Sequence, residues 1–358
     1  MESVYESYLK SKHLIPSNKF TVLASILAND QPLCITTGVK CVPDSKIRNS
    51  QGMILHDSHA EILAIRAFNY YILKSLKDIE NSLYFEKLSS GLYGVKSDVK
   101  FSLYISEIPC GDASLENLMA KNSEPWKHDF TDENPLRGRE YYTETGLVRT
   151  KPGRADSLLS KSKSCSDKLT LVTLKGLLNC LTQDLFEDQI YLDSIIVPKH
   201  LFTDGLKRCF TSRVAKNFSG ISKTTIVTAE VEDTYNKKLS NLNLGRLERP
   251  RENEKGFELA TVSVPSLNFY ETTTQGVRNG SSIKRVRKTN TGYSELSRKV
   301  LLQLRQEIHP LPSNISSYQE WKMSLKEYQN FKTAAKAAIG NWGESTKDDF
   351  QIEQVKIK

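Results

Sequence analysis

Apolar residues recur along this chain with two different periods. Residues 20–27 and 32–41 are dense in Val, Leu, Ile and Cys and read as strands, and Thr37-Gly38 interrupts the second, which predicts a turn there. From residue 59 to 79 the period changes. Ile62, Ile65 and Phe68 fall at helical spacing with Leu63, Ala67 and Tyr70 beside them, and Asp57 and Ser58 just ahead are good caps. Residues 99–107 put Phe101, Leu103 and Ile105 on one face, as a strand does, and Pro109-Cys110-Gly111-Asp112 ends the run sharply. A helix can begin over 114–121. The pattern then predicts a helix over 169–185, strands over 190–197, 224–231 and 259–264, and two closing helices over 293–308 and 317–339. Strands interleaved with helices predict an α/β chain with a mixed sheet. At 358 residues the chain can bury a sizeable core without covalent staples.

Charge adds a partner class to this picture. The chain has 50 Lys and Arg against 42 Asp and Glu, a net charge of +8. That balance fits an anionic partner such as a phosphate backbone, or simply a solvated basic surface. Residues 122–164 concentrate it: Arg137, Arg139, Arg149, Lys151, Arg154, Lys161 and Lys163 lie in a polar stretch rich in turn residues. A stretch that long inside a compact domain is functional or disordered. No run of eighteen apolar residues is present and the first residues hold no apolar leader, so neither a membrane span nor a secretory signal is expected. An intracellular site, nuclear or cytoplasmic, with reduced thiols is the expectation, and nothing calls for an obligate protein partner.

The sharpest chemical feature is His59-Ala60-Glu61 at a helix start, followed by a strand that ends in Pro109-Cys110. H-x-E followed by P-C is half of the signature of zinc-dependent nucleobase deaminases. That signature closes with C-x-x-C, but the position three beyond Cys110 is Ala113, so a second thiolate must come from elsewhere; Cys165 in Ser164-Cys165-Ser166-Asp167-Lys168 is the candidate. A catalytic zinc takes three protein ligands in a tetrahedral shell and leaves the fourth position to water, whose pKa it lowers towards about 7. Glu61, not itself a ligand, would take that water's proton, pass it to the ring nitrogen and protonate the leaving amine. Attack would fall on C6 of adenine or C4 of cytosine. Spacing alone also allows a packed thiol at a strand end, or a structural zinc, although structural sites normally have four protein ligands.

At these residues the chain resembles the adenosine deaminases that edit RNA. Thr37-Gly38-Val39-Lys40-Cys41 is similar to the family's Thr-Gly-Thr-Lys-Cys strand, with Val39 the one difference. His59-Ala60-Glu61, Pro109-Cys110-Gly111-Asp112-Ala113 and Ser164-Cys165-Ser166-Asp167-Lys168 follow, and the resemblance settles the choice of Cys165. Arg149-Thr150-Lys151-Pro152-Gly153-Arg154 looks like the loop of the tRNA-specific branch. The resemblance implies one catalytic domain over residues 1–358, of cytidine-deaminase-like fold: a mixed sheet sandwiched by helices, with C-terminal helices around a buried inositol phosphate and no separate RNA-binding domain. It implies zinc on His59, Cys110 and Cys165, and Glu61 as the proton shuttle. The reaction implied is conversion of adenosine to inosine in the anticodon stem-loop of tRNA, at position 37 of alanine tRNA.

The family buries an inositol hexakisphosphate, and the positions here that resemble its contacts are Arg66, Lys168, Arg298, Tyr318, Lys322, Tyr328, Lys332, Trp342 and Asp348. Arg298 stands where the family has a lysine. Leu171 and Val172 stand where the editors have an Arg-Trp pair, and His56 replaces an Asn ahead of His-Ala-Glu. Buried Lys and Arg without counter-charge would be prohibitive, and a polyphosphate supplies that charge; a solvated helix face is the other reading. For RNA, the basic segment 137–168, centred on Arg149, Lys151 and Arg154, is the expected phosphate grip, unless it is a solvated loop. A deaminase of other structured RNA or of cytidine, or a non-catalytic RNA-binding relative, remains open, with the intact Glu61 against the last.

Overall fold

A computed structural model describes residues 1–11, 14–119, 136–138, 140–151, 157–215, 218, 224–229, 239, 241–242, 244–247 and 255–353. The strands in chain order are β1 (Lys19–Phe20), β2 (Leu23–Ala28), β3 (Gln31–Thr37), β4 (Val39–Cys41), β5 (Asp57–His59), β6 (Phe85–Lys87), β7 (Tyr93–Val95), β8 (Phe101–Ile105), β9 (Ser194–Pro198), β10 (Thr225–Ala229), β11 (Lys255–Gly256), β12 (Leu259–Val264), β13 (Phe269–Thr274) and β14 (Val277–Arg278). Eight of them form one sheet in the order β10-β9-β8-β2-β3-β12-β13-β14. Parallel pairing joins β8, β9 and β10, and the remaining neighbours are antiparallel, so the sheet is mixed as expected. β2 sits centrally, and all six residues of its Leu-Ala-Ser-Ile-Leu-Ala run are buried, which suits a strand covered on both faces.

The helices are α1 (Glu2–Leu9), α2 (Asp44–Ile47), α3 (Ala60–Leu76), α4 (Glu116–Met119), α5 (Cys165–Lys175), α6 (Asp204–Lys207), α7 (Ile283–Thr289), α8 (Arg298–Ile308), α9 (Tyr318–Ser324) and α10 (Lys326–Ile339). α3 covers one face of the sheet, burying Leu63, Ala64, Ala67 and Phe68 against the core from β2, β3 and β8. α1 packs on the other face, where Val4, Tyr5 and Tyr8 meet Leu23, Leu27, Ile35 and Tyr104. The two faces of β2 thus feed two separate apolar clusters, as alternation of side chains requires.

One sequence expectation about the backbone holds and others shift. The predicted break at Gly38 is real: its φ is +154°, and a methyl there would lie 2.0 Å from the carbonyl oxygen of Ser58. The chain therefore leaves β3, turns at Gly38 and pairs β4 with β5, Val39 opposite His59. The helix expected over 169–185 instead starts at Cys165, where the Ser164 hydroxyl accepts from the Asp167 amide, and stops at Gly176, whose φ is +84°. The last expected helix is two, α9 and α10, broken at Leu325 (ψ +65°). α1 and α7 had not been foreseen. Among the described residues no helix is long and apolar enough to cross a membrane.

Candidate active site

Two helix starts and one strand end converge on a single point. His59 closes β5 and caps α3; Glu61 lies in that helix's first turn. Cys165 is the first residue of α5, and Cys110 follows the end of β8. The amide of Ala60 donates to the Gly38 carbonyl at 3.0 Å, and the Thr36 hydroxyl donates to the Ala60 carbonyl at 2.8 Å, so the start of α3 is tied to the sheet. Helix N-termini favour negative charge, which suits a thiolate at Cys165 and a carboxylate at Glu61.

The two cysteine loops are stapled together. The Ser166 amide donates to the Cys110 carbonyl at 3.0 Å, and its hydroxyl accepts from the Ala113 amide and donates to the Pro109 carbonyl, both at 3.1 Å. The Cys165 amide points at Cys110 Sγ at 3.4 Å. Gly111 has φ +105°, and a methyl there would lie 2.2 Å from Ser164 Oγ. Only glycine lets the Pro109–Asp112 turn approach the start of α5 this closely.

The result is a compact donor set. His59, Cys110 and Cys165 offer ligand atoms that all lie within 4.8 Å of one another. Cys165 Sγ is 3.4 Å and Cys110 Sγ 3.8 Å from His59 Nδ1. In a tetrahedral shell, zinc–sulfur bonds of about 2.3 Å and zinc–nitrogen bonds of about 2.05 Å give a sulfur–nitrogen separation of roughly 3.6 Å. One imidazole and two thiols at this spacing fit zinc with a fourth position open. Glu61 is 3% exposed, and its Oε2 has no hydrogen-bond partner among the described residues. A buried carboxylate oxygen left unpartnered in such a place is poised for a proton that arrives with substrate or water.

Asp57, which the sequence reading used only as a cap, organises the surroundings. Its Oδ1 accepts from the His59 amide at 3.1 Å, and its Oδ2 accepts from Lys151 Nζ at 2.6 Å and Lys168 Nζ at 2.5 Å. Burial would raise the Asp57 pKa, but Lys151 and Lys168 outweigh it and hold the carboxyl well below its ordinary value. Lys151 also reaches Cys165 Sγ at 3.0 Å. Burial works against its charge, yet Asp57 and the neighbouring sulfurs hold the ammonium well above its usual pKa. A hydrogen bond from Cys165 pulls the Cys110 thiol well below its ordinary value, with Lys151 and His59 adding to it.

Behind α5 a second buried network fixes its start. Asp167 accepts from Arg213 Nη2 at 2.5 Å, from the Arg149 amide at 2.9 Å and from the Ser164 hydroxyl at 2.5 Å. Arg208 donates to Asp112 at 3.1 Å. Asp112, Asp167, Arg208 and Arg213 carried no local signal in the sequence beyond their place beside the cysteine motifs.

The expected phosphate grip is largely internal. Arg149 is 0% exposed, and its guanidinium donates to the carbonyls of Gly138, Glu140, Tyr141 and Glu144. Lys151 is 3% exposed and Lys163 1%. Thr150 bridges to Arg137 on one side and Lys163 on the other, so this run is an inner strand-like crossing. Arg149 and Lys151 are therefore not placed to touch RNA; one pins a turn and the other supports the thiolate. Arg154 lies outside the described residues, and Lys161 is exposed.

A third cluster forms where α5, α8, α9 and α10 meet. Arg66 is half-buried and donates to the Leu296 carbonyl at 2.9 Å. Arg298 pairs with Asp348 at 2.9 Å and contacts His56, which also meets Asp348 at 3.1 Å. Burial, with Arg298 next, pushes His56 down to about 4. Tyr318 bonds Cys180 Sγ at 3.3 Å, and both Lys175 and Lys332 lie over the Tyr328 ring. Lys336 lies over Trp342. Burial lowers Lys332 to about 8, with Lys322, Lys336 and Arg298 pressing in the same direction, and lowers Lys175 to about 7 with Lys332 adding to it. Lys322 and Lys336 are lowered by burial too. Among the described residues, Lys175, Lys322, Lys332 and Lys336 form no ion pair. Lys168 turns to the thiolate side, its Nζ 2.5 Å from Asp57 Oδ2 and 2.6 Å from Ser162 Oγ, and Leu171 and Val172 are buried in apolar packing.

Residues 34–345 match the adenosine-deaminase (editase) domain family. The chain belongs to that family. Among its relatives is the tRNA-specific adenosine deaminase 1 of Schizosaccharomyces pombe, 30% identical over 341 residues that span 89% of this chain and 84% of the relative. The protein of the same name from Saccharomyces cerevisiae is 38% identical over 204 residues, 50% of this chain and 51% of the relative. The human one is 22% identical over 484 residues, covering 94% of this chain and 95% of its own. Double-stranded RNA-specific editase B2 of mouse matches over 51% of this chain and 27% of its own length, at 30% identity. For an editase, the His59, Cys110, Cys165 and Glu61 arrangement is the part of the molecule where hydrolytic deamination can take place.

Proposed function

We propose that this editase converts adenosine to inosine in tRNA, at position 37 in the anticodon stem-loop of alanine tRNA. The observation that carries the reaction class is the buried, unpartnered Glu61 Oε2 beside the three-donor cluster. The names of the relatives matching most of both chains support tRNA as substrate. His59 Nδ1, Cys110 Sγ and Cys165 Sγ would hold a zinc ion, which when bound would act as a Lewis acid that makes a water nucleophilic near neutral pH.

The chain's own residues do the rest. Glu61 would take one proton of the attacking water and deliver it to N1 of the adenine ring as the C6–O bond forms; it would then move the remaining proton of the C6 hydroxyl to the amine, so that the C6–N6 bond breaks, C6=O forms and ammonia leaves. Lys151 and Asp57 hold Cys165 and the His59 backbone in place while this happens. The reacting carbon is inaccessible in a stacked duplex, and a loop adenosine can be turned out at small cost. We further propose inositol hexakisphosphate as the counter-charge for the cluster around Lys175, Lys322 and Lys332. The support is that these ammonium groups, Lys175 buried and Lys322 and Lys332 half-buried, are depressed by burial and by neighbouring cations, and lack paired carboxylates among the described residues.

The test is inosine mapped by nucleotide in total tRNA after incubation with wild-type protein and with Glu61→Ala. Inosine at position 37 of alanine tRNA is expected from wild type. The variant should lose a factor on the order of 100–10,000 in rate while retaining zinc and tRNA binding. Turnover that survives in Glu61→Ala refutes the proton-shuttle role, and inosine only at other positions refutes the site assignment.

A further inference from the structure

The exposed cations lie elsewhere, on α7. This helix turns Val286 into a small core with Val42, Ile47, Met53, Ile54 and Val277, and leaves Lys284, Arg285, Arg287 and Lys288 exposed. Val286 and the partly buried Ile283 are its apolar contacts with that core, and Arg287 adds a polar anchor. Arg287 Nη2 donates to the carbonyls of Lys46 and Arg48, at 2.7 and 2.6 Å, and fixes α7 against α2. A cleft of about 500 Å³ opens between them, lined by Lys46, Gln275, Ser282, Lys284, Arg287 and Lys288. None of its lining residues is acidic. Lys46 Nζ donates to Gln275 Oε1 at 3.2 Å across the cleft's inner end.

This cleft does not stop at Lys46. A neighbouring cleft of about 290 Å³ shares Lys46 and Gln275 with it and continues past Lys40 to Ser58 and Ala260. Ser58 precedes the zinc-site His59 and stands opposite Lys40 in the β4–β5 pair. Its one lining carboxylate, Glu258, is paired with Lys19 at 3.2 Å. A basic groove therefore runs from one face of the β4–β5 hairpin, which carries His59 on its other face, to α7.

We propose that this groove takes the sugar–phosphate backbone of the RNA flanking the target nucleotide. The inference rests on the tRNA-deaminase reading above. Its physical basis is charge and placement: cations lining a groove on the hairpin that also carries the zinc-site histidine match a polyanion continuous with the substrate base. At roughly 1.5 Å per residue the seven-residue α7 spans about 10 Å, and a nucleic-acid duplex carries a backbone charge every ~1.7 Å of axis, so a few phosphates fall within reach. The contact reads backbone and not base identity. It also takes over the role that the buried Arg149 and Lys151 cannot fill.

The experiment compares wild type with Lys284→Glu/Arg285→Glu/Lys288→Glu, which spares the Arg287 anchor. A control, Lys10→Glu/Lys87→Glu/Lys326→Glu, makes the same change of net charge at exposed sites outside the groove. Kd for tRNA is measured between 50 and 200 mM salt, with single-turnover inosine formation at saturating tRNA. The groove variant should bind on the order of 10- to 100-fold more weakly at low salt, with the slope of log Kd against log salt reduced by about 2–3. Its saturated single-turnover rate should stay near wild type, and the control should lose far less affinity. A groove variant whose Kd and slope match the control overturns the proposal while wild-type inosine formation leaves the deaminase reading standing. Groove-dependent binding by a wild type that forms no inosine supports the groove and overturns the deaminase reading. If the triple variant unfolds, Lys284→Ala/Lys288→Ala decides instead, with a slope reduction of about 1–2 expected and an unchanged slope refuting the groove.

Discussion

Replacing Lys151 with Met separates a lysine that supports the metal site from one that grips phosphate. The ammonium is 3% exposed and lies 2.6 Å from Asp57 Oδ2 and 3.0 Å from Cys165 Sγ. Methionine keeps the length and apolar stem but leaves the Asp57 carboxylate and the Cys165 sulfur without their shared cation. Removing one partner of a buried ion pair costs about 3–5 kcal/mol. Asp57 keeps Lys168 at 2.5 Å, and that side chain is 25% exposed, so water can follow it in. A loss at or below the low end of that range is therefore expected, about 2–3 kcal/mol by urea unfolding. Because Lys151 stands directly behind one of the thiolates, zinc affinity measured by chelator competition should fall about 10- to 100-fold. A Lys151→Met protein with zinc affinity and stability within error of wild type would refute this reasoning. A weakened tRNA Kd with a salt slope reduced by about 1 in that protein would return Lys151 to the RNA surface.

Gly111→Ala should be disproportionately harmful: with φ +105° and Ser164 Oγ 2.2 Å from the new methyl, the turn or the cap of α5 must move. A stability loss above about 1 kcal/mol together with lost zinc content is expected, and normal zinc content would argue that the two cysteine loops tolerate separation. Stability should also depend on pH with a definite sign when no polyanion is bound. Lys175 and Lys332 are lowered in the folded protein to about 7 and about 8, below the ~10.4 of an unfolded lysine, so the unfolded chain binds more protons in between. The melting temperature of protein freed of inositol phosphates should therefore rise from pH 6 to 8, before the raised thiols of Cys34 and Cys209 begin to oppose it. Added inositol hexakisphosphate should stabilise most at the low end of that range, and a melting temperature that falls from pH 6 to 8 without it would contradict the buried-cation reading.

The site was more legible than its frame. His59, Glu61 and Cys110 could be named because zinc chemistry dictates residue types and helix starts dictate spacing, whereas Cys165 was a candidate that only the family resemblance settled. The long helix α3 and the strands β8 and β12 followed from clean periodicity. The end of α5 was misplaced because Leu177 and Leu178 prolong the apolar run past Gly176, and only the left-handed φ of that glycine marks the stop. α7 was missed because one buried valine among four exposed cations leaves almost no periodic signal. Arg149 and Lys151 were misassigned for another reason. Local sequence reports charge but not what neutralises it, and the partner of Lys151 lies 94 residues away in the chain.

That last point bears on how the buried cations divide. Burial alone lowers a lysine pKa, so a buried lysine held above its ordinary value must have its anion within the fold, and one held below it has no anion close enough to offset burial. Lys151 is of the first kind, with Asp57 and Cys165 beside it. Lys175, Lys322, Lys332 and Lys336 are of the second, and they gather on the other side of α5 and along α9 and α10. Asp57 cannot serve both groups, because its Oδ2 already takes Lys151, Lys168 and Ser162. Asp348 is likewise committed to Arg298, His56 and the Gly52 amide. The chain thus completes the electrostatics of its zinc side with its own carboxylate and leaves the lysines of its C-terminal side without a carboxylate partner among the described residues. One substitution distinguishes the two cases by sign. Lys332→Met should stabilise the polyanion-free protein near pH 7 by removing a desolvated, mutually repelled charge, whereas Lys151→Met must destabilise it.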